Sequence, residues 1–237
     1  AKPNKYDHFS WLLHACPHDK LHVTKVMELT HTWLGKGITY KQGLEMQQRA
    51  VESILRGEGS NQLFTLEHEP IYTIGRTRDR SSLGKNTAML PHPVVEINRG
   101  GQATYHGPGQ LTGYPVVDMR PLGKDLHIYI RNLEQALILT CADYGLDATL
   151  RDGLTGVWVE ERKLASIGVG VKKWIAMHGY AINITHESLK GFQSITPCGL
   201  SGVSVTSLES ECGIAVNSQE FAEKCYHHLK HALKTMM

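Results

Sequence analysis

GVWVEERKLASIGVGVKKWIAMHGYAINI, Gly156 to Ile184, is the stretch whose reading decides the fold. It holds three runs rich in β-branched and apolar residues: Gly156 to Val159, Leu164 to Val171 and Trp174 to Ile184. The turn-like Glu160 to Arg162 between the first two is too short for a crossover helix, so these runs form a hairpin-like antiparallel array. A purely parallel, doubly wound sheet is thereby disfavoured.

Outward from this array, helices and strands are interspersed. Lys41 to Leu55 carries Leu44, Val51, Ile54 and Leu55 at helical spacing before Gly57 and Gly59 stop the pattern. Short β-runs follow at Leu63 to Glu67, Ile71 to Ile74, Val94 to Asn98 and Tyr114 to Met119. Asp125 then caps a helix on which Leu126, Ile130, Leu133, Leu137, Cys141 and Tyr144 recur until Gly145. A last helix opens at Asn217, with Glu220 at capping-box spacing and Phe221, Cys225, Leu229 and Ala232 as its apolar stripe. The first 40 residues read as an irregular entry with one short helix around Leu21 to Trp33. The sum is an α/β chain of the α+β type, a mixed sheet with flanking helices, in one domain over 1–237.

Composition removes several function classes. A net charge of +2 without a run of like charges gives no basis for nucleic-acid binding. No apolar stretch approaches the length of a membrane span, and the expectation is a soluble, cytoplasmic protein. Cys16, Cys141, Cys198, Cys212 and Cys225 are odd in number and lack C-x-x-C spacing, which fits a reducing compartment. The fourteen histidines form no ligand motif, so no metal is expected.

Three segments carry candidate chemistry. Arg99 to Pro115, RGGQATYHGPGQLTGYP, packs glycines and prolines around polar side chains. Such a backbone approaches a ligand closely or forms a long structural loop, and it does not match a P-loop. Lys163 opens an apolar strand, where partial desolvation makes proton transfer near neutrality feasible; the alternative is a solvated surface lysine. Cys198 lies between Pro197 and Gly199 in SITPCGLSGVSVTSL, while Cys141 and Cys225 sit on helix stripes. A loop thiol is a nucleophile or a structural cysteine, and local sequence leaves both readings open.

Taken in order, LEHEPIYTIG, RGGQATYHGPGQLTGYPV, GVWVEERKLASIGV, HGYAIN and PCGLSGVSVTSL resemble the lipoyl(octanoyl) transferase family from about Leu66 to Leu208. The resemblance implies a fold like the biotin and lipoate protein ligase catalytic domain. It implies transfer of an octanoyl group from octanoyl-acyl carrier protein to a lysine of a lipoyl domain, through a thioester on Cys198 with Lys163 as its partner, and no cofactor. The acceptors it implies are lipoyl domains of 2-oxoacid dehydrogenases and the glycine-cleavage H protein. The implied acyl site comprises Arg99, Gly100, Gly101, Gln102, Ala103, Thr104, Tyr105 and His106, then Ser166, Ile167 and Gly168, then Gly179, Tyr180 and Ala181, with His68 and His178 as further contacts. Tyr180 departs from the family pattern, which often has a smaller aliphatic residue there. Arg76, Arg78, Arg80 and Lys85 form a local basic cluster suited to an acidic carrier protein, or an ordinary solvated loop. Competing readings are an adenylating ligase on the same fold and a non-catalytic acyl-binding module. ATP-dependent attachment of free octanoate would mark the first, and binding without transfer the second.

Overall fold

Alternation of side chains across a strand is the physical basis of the architecture, because it gives the main sheet two different faces to cover. The computed structural model describes residues 28–76, 81–83, 87–195 and 203–236. In chain order the strands are β1 (Leu29–Trp33), β2 (Asn61–Leu66), β3 (Ile71–Ile74), β4 (Val94–Glu96), β5 (Thr104–His106), β6 (Gln110–Asp118), β7 (Thr149–Arg151), β8 (Leu154–Val159), β9 (Arg162–Lys172) and β10 (Ile175–Asn183). The helices are α1 (Tyr40–Leu55), α2 (Leu126–Ala142), α3 (Leu208–Cys212) and α4 (Ser218–Lys234).

The main sheet runs β1-β2-β6-β10-β9-β8-β7, and a small sheet runs β4-β3-β5. β1 pairs with β2 in parallel and the other neighbours of the main sheet are antiparallel. In the small sheet β3 is parallel to β4 and antiparallel to β5. The mixed sheet with flanking helices read from the sequence is the fold observed.

One face of the main sheet presents Leu63, Leu111, Val117, Ala176 and Ile182 to Leu133, Leu137 and Cys141 of α2 and to Phe221, Cys225 and Leu229 of α4. The opposite face presents Phe64, Leu66, Tyr114, Val116 and Ile175 to Ala50, Val51 and Ile54 of α1. Cys141 and Cys225 are fully buried in the first layer, as the helix stripes predict. At about 25 cal/mol per Å2, each such large side chain contributes roughly 1.5–3 kcal/mol to holding a helix on the sheet.

Helix ends are fixed by side chains. Asp125 accepts from His127 and Ile128 N–H at the start of α2, and Asn217 accepts from Gln219 and Glu220 N–H at the start of α4. Glu220 itself pairs with Lys224, and the reciprocal capping box occurs instead at α1, between Thr39 and Gln42. The hairpin turn between β8 and β9 is Glu160 and Glu161, with Glu160 in the left-handed region at φ 51.

The described part of the expected helix over Leu21 to Trp33 is a strand. Leu29–Trp33 alternates in exposure, Leu29 buried and Thr30 and Thr32 exposed, and its β-branched threonines suit a pleated edge. Pairing with β2 overrides any helical tendency of so short a segment. The rest of that expected helix lies outside the described residues. The glycine-rich Arg99 to Pro115 segment is likewise more regular than a loop, since β5 and the first half of β6 lie within it.

Candidate active site

Residues from both sheets enclose a cavity with about 480 Å3 of empty space, part of it open to solvent. Its walls come from the start of α1, the Arg99–Thr104 segment leading into β5, β6, and the middle of β9 and β10. Of the fourteen positions implied as the acyl site, twelve line this cavity; Gly100 and Tyr105 do not. Gly100 N–H instead donates to the Val169 carbonyl at 3.0 Å, tying the segment to β9. The Tyr105 ring packs against Tyr72 and Phe192 on the other side of β5.

Arg99, 7% exposed, supplies a buried cation at the cavity wall. It begins a line of hydrogen bonds whose direction is fixed from its far end. The Thr206 carbonyl can only accept, so Asn183 Nδ2 donates to it at 2.9 Å, leaving Asn183 Oδ1 to accept from Gln110 Nε2 at 3.0 Å. Gln110 Oε1 then accepts from His106 Nδ1 at 3.0 Å, and His106 Nε2 accepts from Thr73 Oγ1 at 3.2 Å. Thr73 Oγ1 takes its own donor from Arg99 Nη2 at 2.9 Å. His106 therefore carries a proton on Nδ1, and its burial, which lowers its pKa, leaves Nε2 unprotonated to accept from Thr73.

His68 is held the same way: Nδ1–H donates to the Ile38 carbonyl at 2.7 Å and Nε2 accepts from Tyr114 O–H at 2.7 Å. Burial pushes its pKa down to about 4, against a small opposing contribution from that carbonyl. Burial also lowers His178 to about 4, assisted by the Arg99 charge, and holds His106 well below the ordinary histidine value, assisted by His68 and Arg99. All three imidazoles are uncharged at neutral pH.

His178 adopts φ 59, a left-handed conformation costly for a residue with a Cβ. Its N–H donates to Gln47 Oε1 at 2.7 Å, and Gln47 is itself a buried residue of α1. The cavity wall also presents buried polar atoms that have no hydrogen-bond partner among the described residues: Tyr40 OH, Thr104 Oγ1, Thr112 Oγ1 and His178 Nδ1. Such atoms, each costly to desolvate, suit a ligand with polar groups as well as an apolar tail. Tyr180 crosses from this wall into the α4 layer, where its hydroxyl meets Cys225 Sγ at 3.3 Å; Gly113, opposite it on β6, leaves room for the ring.

Lys163, 4% exposed, is not a surface lysine. Nζ donates to the Thr155 carbonyl at 3.1 Å and lies 5.1 Å from the Trp158 ring centroid, a cation–π position. Its backbone is bonded to the chain that follows Cys198: Lys163 N–H donates to the Ser204 carbonyl and Thr206 N–H to the Lys163 carbonyl. Lys163 is not among the residues lining the cavity, although Ser166, three residues on in β9, is. Cys198, with Arg78, Arg80 and Lys85 of the basic cluster, lies outside the described residues; Arg76 is exposed at the end of β3.

Sequence reasoning missed several residues of this site. Gln110, Thr112 and Tyr114 stood in the glycine-rich segment but were not singled out within it, and Tyr40 and Gln47 gave no local signal.

Residues 39–230 match the family described as the lipoyl protein ligase A/B catalytic domain. The octanoyltransferase of Geotalea uraniireducens is 47% identical over 176 residues, covering 74% of this chain and 80% of the relative. That of Syntrophotalea carbinolica is 40% identical over 198 residues, covering 84% and 92%. The chain belongs to the octanoyltransferase family. Among solved structures, the lipoic-acid-bound putative lipoate protein ligase of T. acidophilum resembles this octanoyltransferase with a TM-score of 0.64 at 17% identity, over 87% of this chain and 86% of that one. The biotin protein ligase of Aquifex aeolicus, in complex with biotin and ATP, gives 0.57 at 14% identity over 87% and 71%. These two likenesses establish that the octanoyltransferase shares its fold with the ligases.

Proposed function

We propose that this octanoyltransferase moves an octanoyl group from octanoyl-acyl carrier protein to a lysine of a lipoyl domain through a thioester on Cys198, with Lys163 as the proton carrier. The observation that carries the reading is the buried Lys163 ammonium in β9, whose backbone is bonded to Ser204, six residues after Cys198. A lysine removed from water in this way has a role other than surface solvation.

In the first half-reaction the Cys198 thiolate attacks the donor thioester carbonyl, and the carbon–sulfur bond to the carrier breaks. The departing thiolate takes a proton from the Lys163 ammonium. In the second half the neutral amine of the acceptor lysine attacks the Cys198 thioester and gives its proton to the now neutral Lys163, and the Cys198 thiolate leaves. One thioester replaces another in the first step, so no nucleotide is consumed. The acyl chain occupies the cavity between β9, β10 and the Arg99–Thr104 segment.

Incubation with octanoyl-acyl carrier protein, without ATP, tests the reading by intact mass. An octanoyl adduct on the wild-type chain and none on Cys198→Ala is the expected result. No adduct on wild type, or an unchanged adduct on Cys198→Ala, overturns it.

A further inference from the structure

Glu134 is a carboxylate where α2 otherwise buries apolar side chains and Thr140, and its side chain is 0% exposed. Oε2 accepts from the half-exposed Arg131 at 2.7 Å. Oε1 accepts from the backbone N–H of Gly156 at 2.8 Å. That N–H belongs to the same peptide group as the Thr155 carbonyl, the acceptor for Lys163 Nζ. A single peptide unit therefore has a carboxylate on its N–H and an ammonium on its C=O. Both bonds are charge-assisted, and polarisation of the N–H makes the carbonyl oxygen a stronger acceptor.

Gly156 fits the same arrangement. Its φ is +130, and a Cβ there would come within 2.5 Å of the Ala165 carbonyl oxygen and 2.9 Å of Lys163 Cε. The pairing of β8 with β9 also shifts register between Val157 and Trp158, so ladder bonds alone do not fix the position of this peptide.

We infer that Glu134 is a positioning residue for the transfer reaction: through the Thr155–Gly156 peptide it holds the Lys163 ammonium where the proton must be delivered. The inference rests on the proposed role of Lys163. The simpler alternative is that Glu134 only satisfies a buried N–H and supports the fold.

Purified full-length Glu134→Ala, Glu134→Gln, Lys163→Ala and the double variant Glu134→Ala/Lys163→Ala separate these. Steady-state kcat and KM are measured well below each variant's melting temperature. Expected is a fall in kcat of at least tenfold in Glu134→Ala with KM within about twofold, and recovery to within about threefold of wild type in Glu134→Gln, whose amide oxygen accepts the same N–H. In the Lys163→Ala background, Glu134→Ala should cost nothing further. A wild-type kcat in folded Glu134→Ala, or an undiminished tenfold effect without Lys163, overturns the inference. Should Glu134→Ala not fold, Glu134→Asp decides: it keeps the charge but falls short of the Gly156 N–H, and a wild-type kcat there overturns the inference equally. Full turnover in Lys163→Ala is the separate result that defeats the role of Lys163 itself.

Discussion

The Arg99 end of the site and the Lys163 end treat buried charge in opposite ways. Around Arg99 the protein gathers three histidines and keeps each neutral, by burial and by giving each protonated ring nitrogen of His68 and His106 one acceptor. Around Lys163 it buries a second charge, Glu134, and connects the two across one peptide group. The first arrangement makes a rigid wall whose hydrogen bonds have one direction. The second makes a lysine held in place, as the proton transfer proposed for Lys163 requires. A ligand wall needs fixed dipoles and little charge, whereas proton delivery needs a charge with a defined position.

The largest effect that would break this contrast is at Lys163. Lys163→Ala should lower transfer by about 10²–10⁴-fold, the usual range for losing a general acid–base group, while circular dichroism shows an intact fold. At the Arg99 end the effect is on stability against pH. The folded pKa of His68 and of His178 is about 4 and the unfolded value about 6.5, so the unfolded chain binds more protons between those limits. Stability is thus fully present above about pH 6.5 and is lost as pH falls toward 4. Removing one such group, in His68→Phe, should flatten the dependence of unfolding free energy on pH by up to about 1.4 kcal/mol per pH unit within that window, read from urea titrations. An unchanged slope would mean that His68 is charged in the folded protein.

Gly156→Ala should destabilise by about 1–3 kcal/mol through its backbone conformation, and should also lower kcat because the added methyl meets the Lys163 stem. Loss of stability with an unaltered kcat would detach this glycine from the Lys163 end. The smallest effect is expected remote from both ends: Asp125→Ala removes the cap of α2 and should cost about 1 kcal/mol in chemical denaturation, with kcat unchanged.

Much of this was legible beforehand. The Gly156–Ile184 hairpins, the Asp125 and Asn217 caps and the burial of Cys141 and Cys225 follow from local periodicity and turn chemistry, and all are present. The strand Leu29–Trp33 was not legible, because five residues carry too little pattern and the partner that stabilises them, β2, begins 28 residues after the strand ends. The acyl-site positions came from ordered family motifs; periodicity alone could not tell which of those side chains face a cavity.

Local sequence alone determined the Gly156–Ile184 strands with their turn and the caps of α2 and α4, since those depend on side-chain alternation, backbone conformation and neighbours a few residues away. For Lys163 it left a choice between a buried group and a surface charge. Only the tertiary structure decided that, because the burial of Lys163 and its link to Glu134 depend on α2 packing against β8 and on one peptide between them. Those contacts join residues whose separation along the chain carries no local signal.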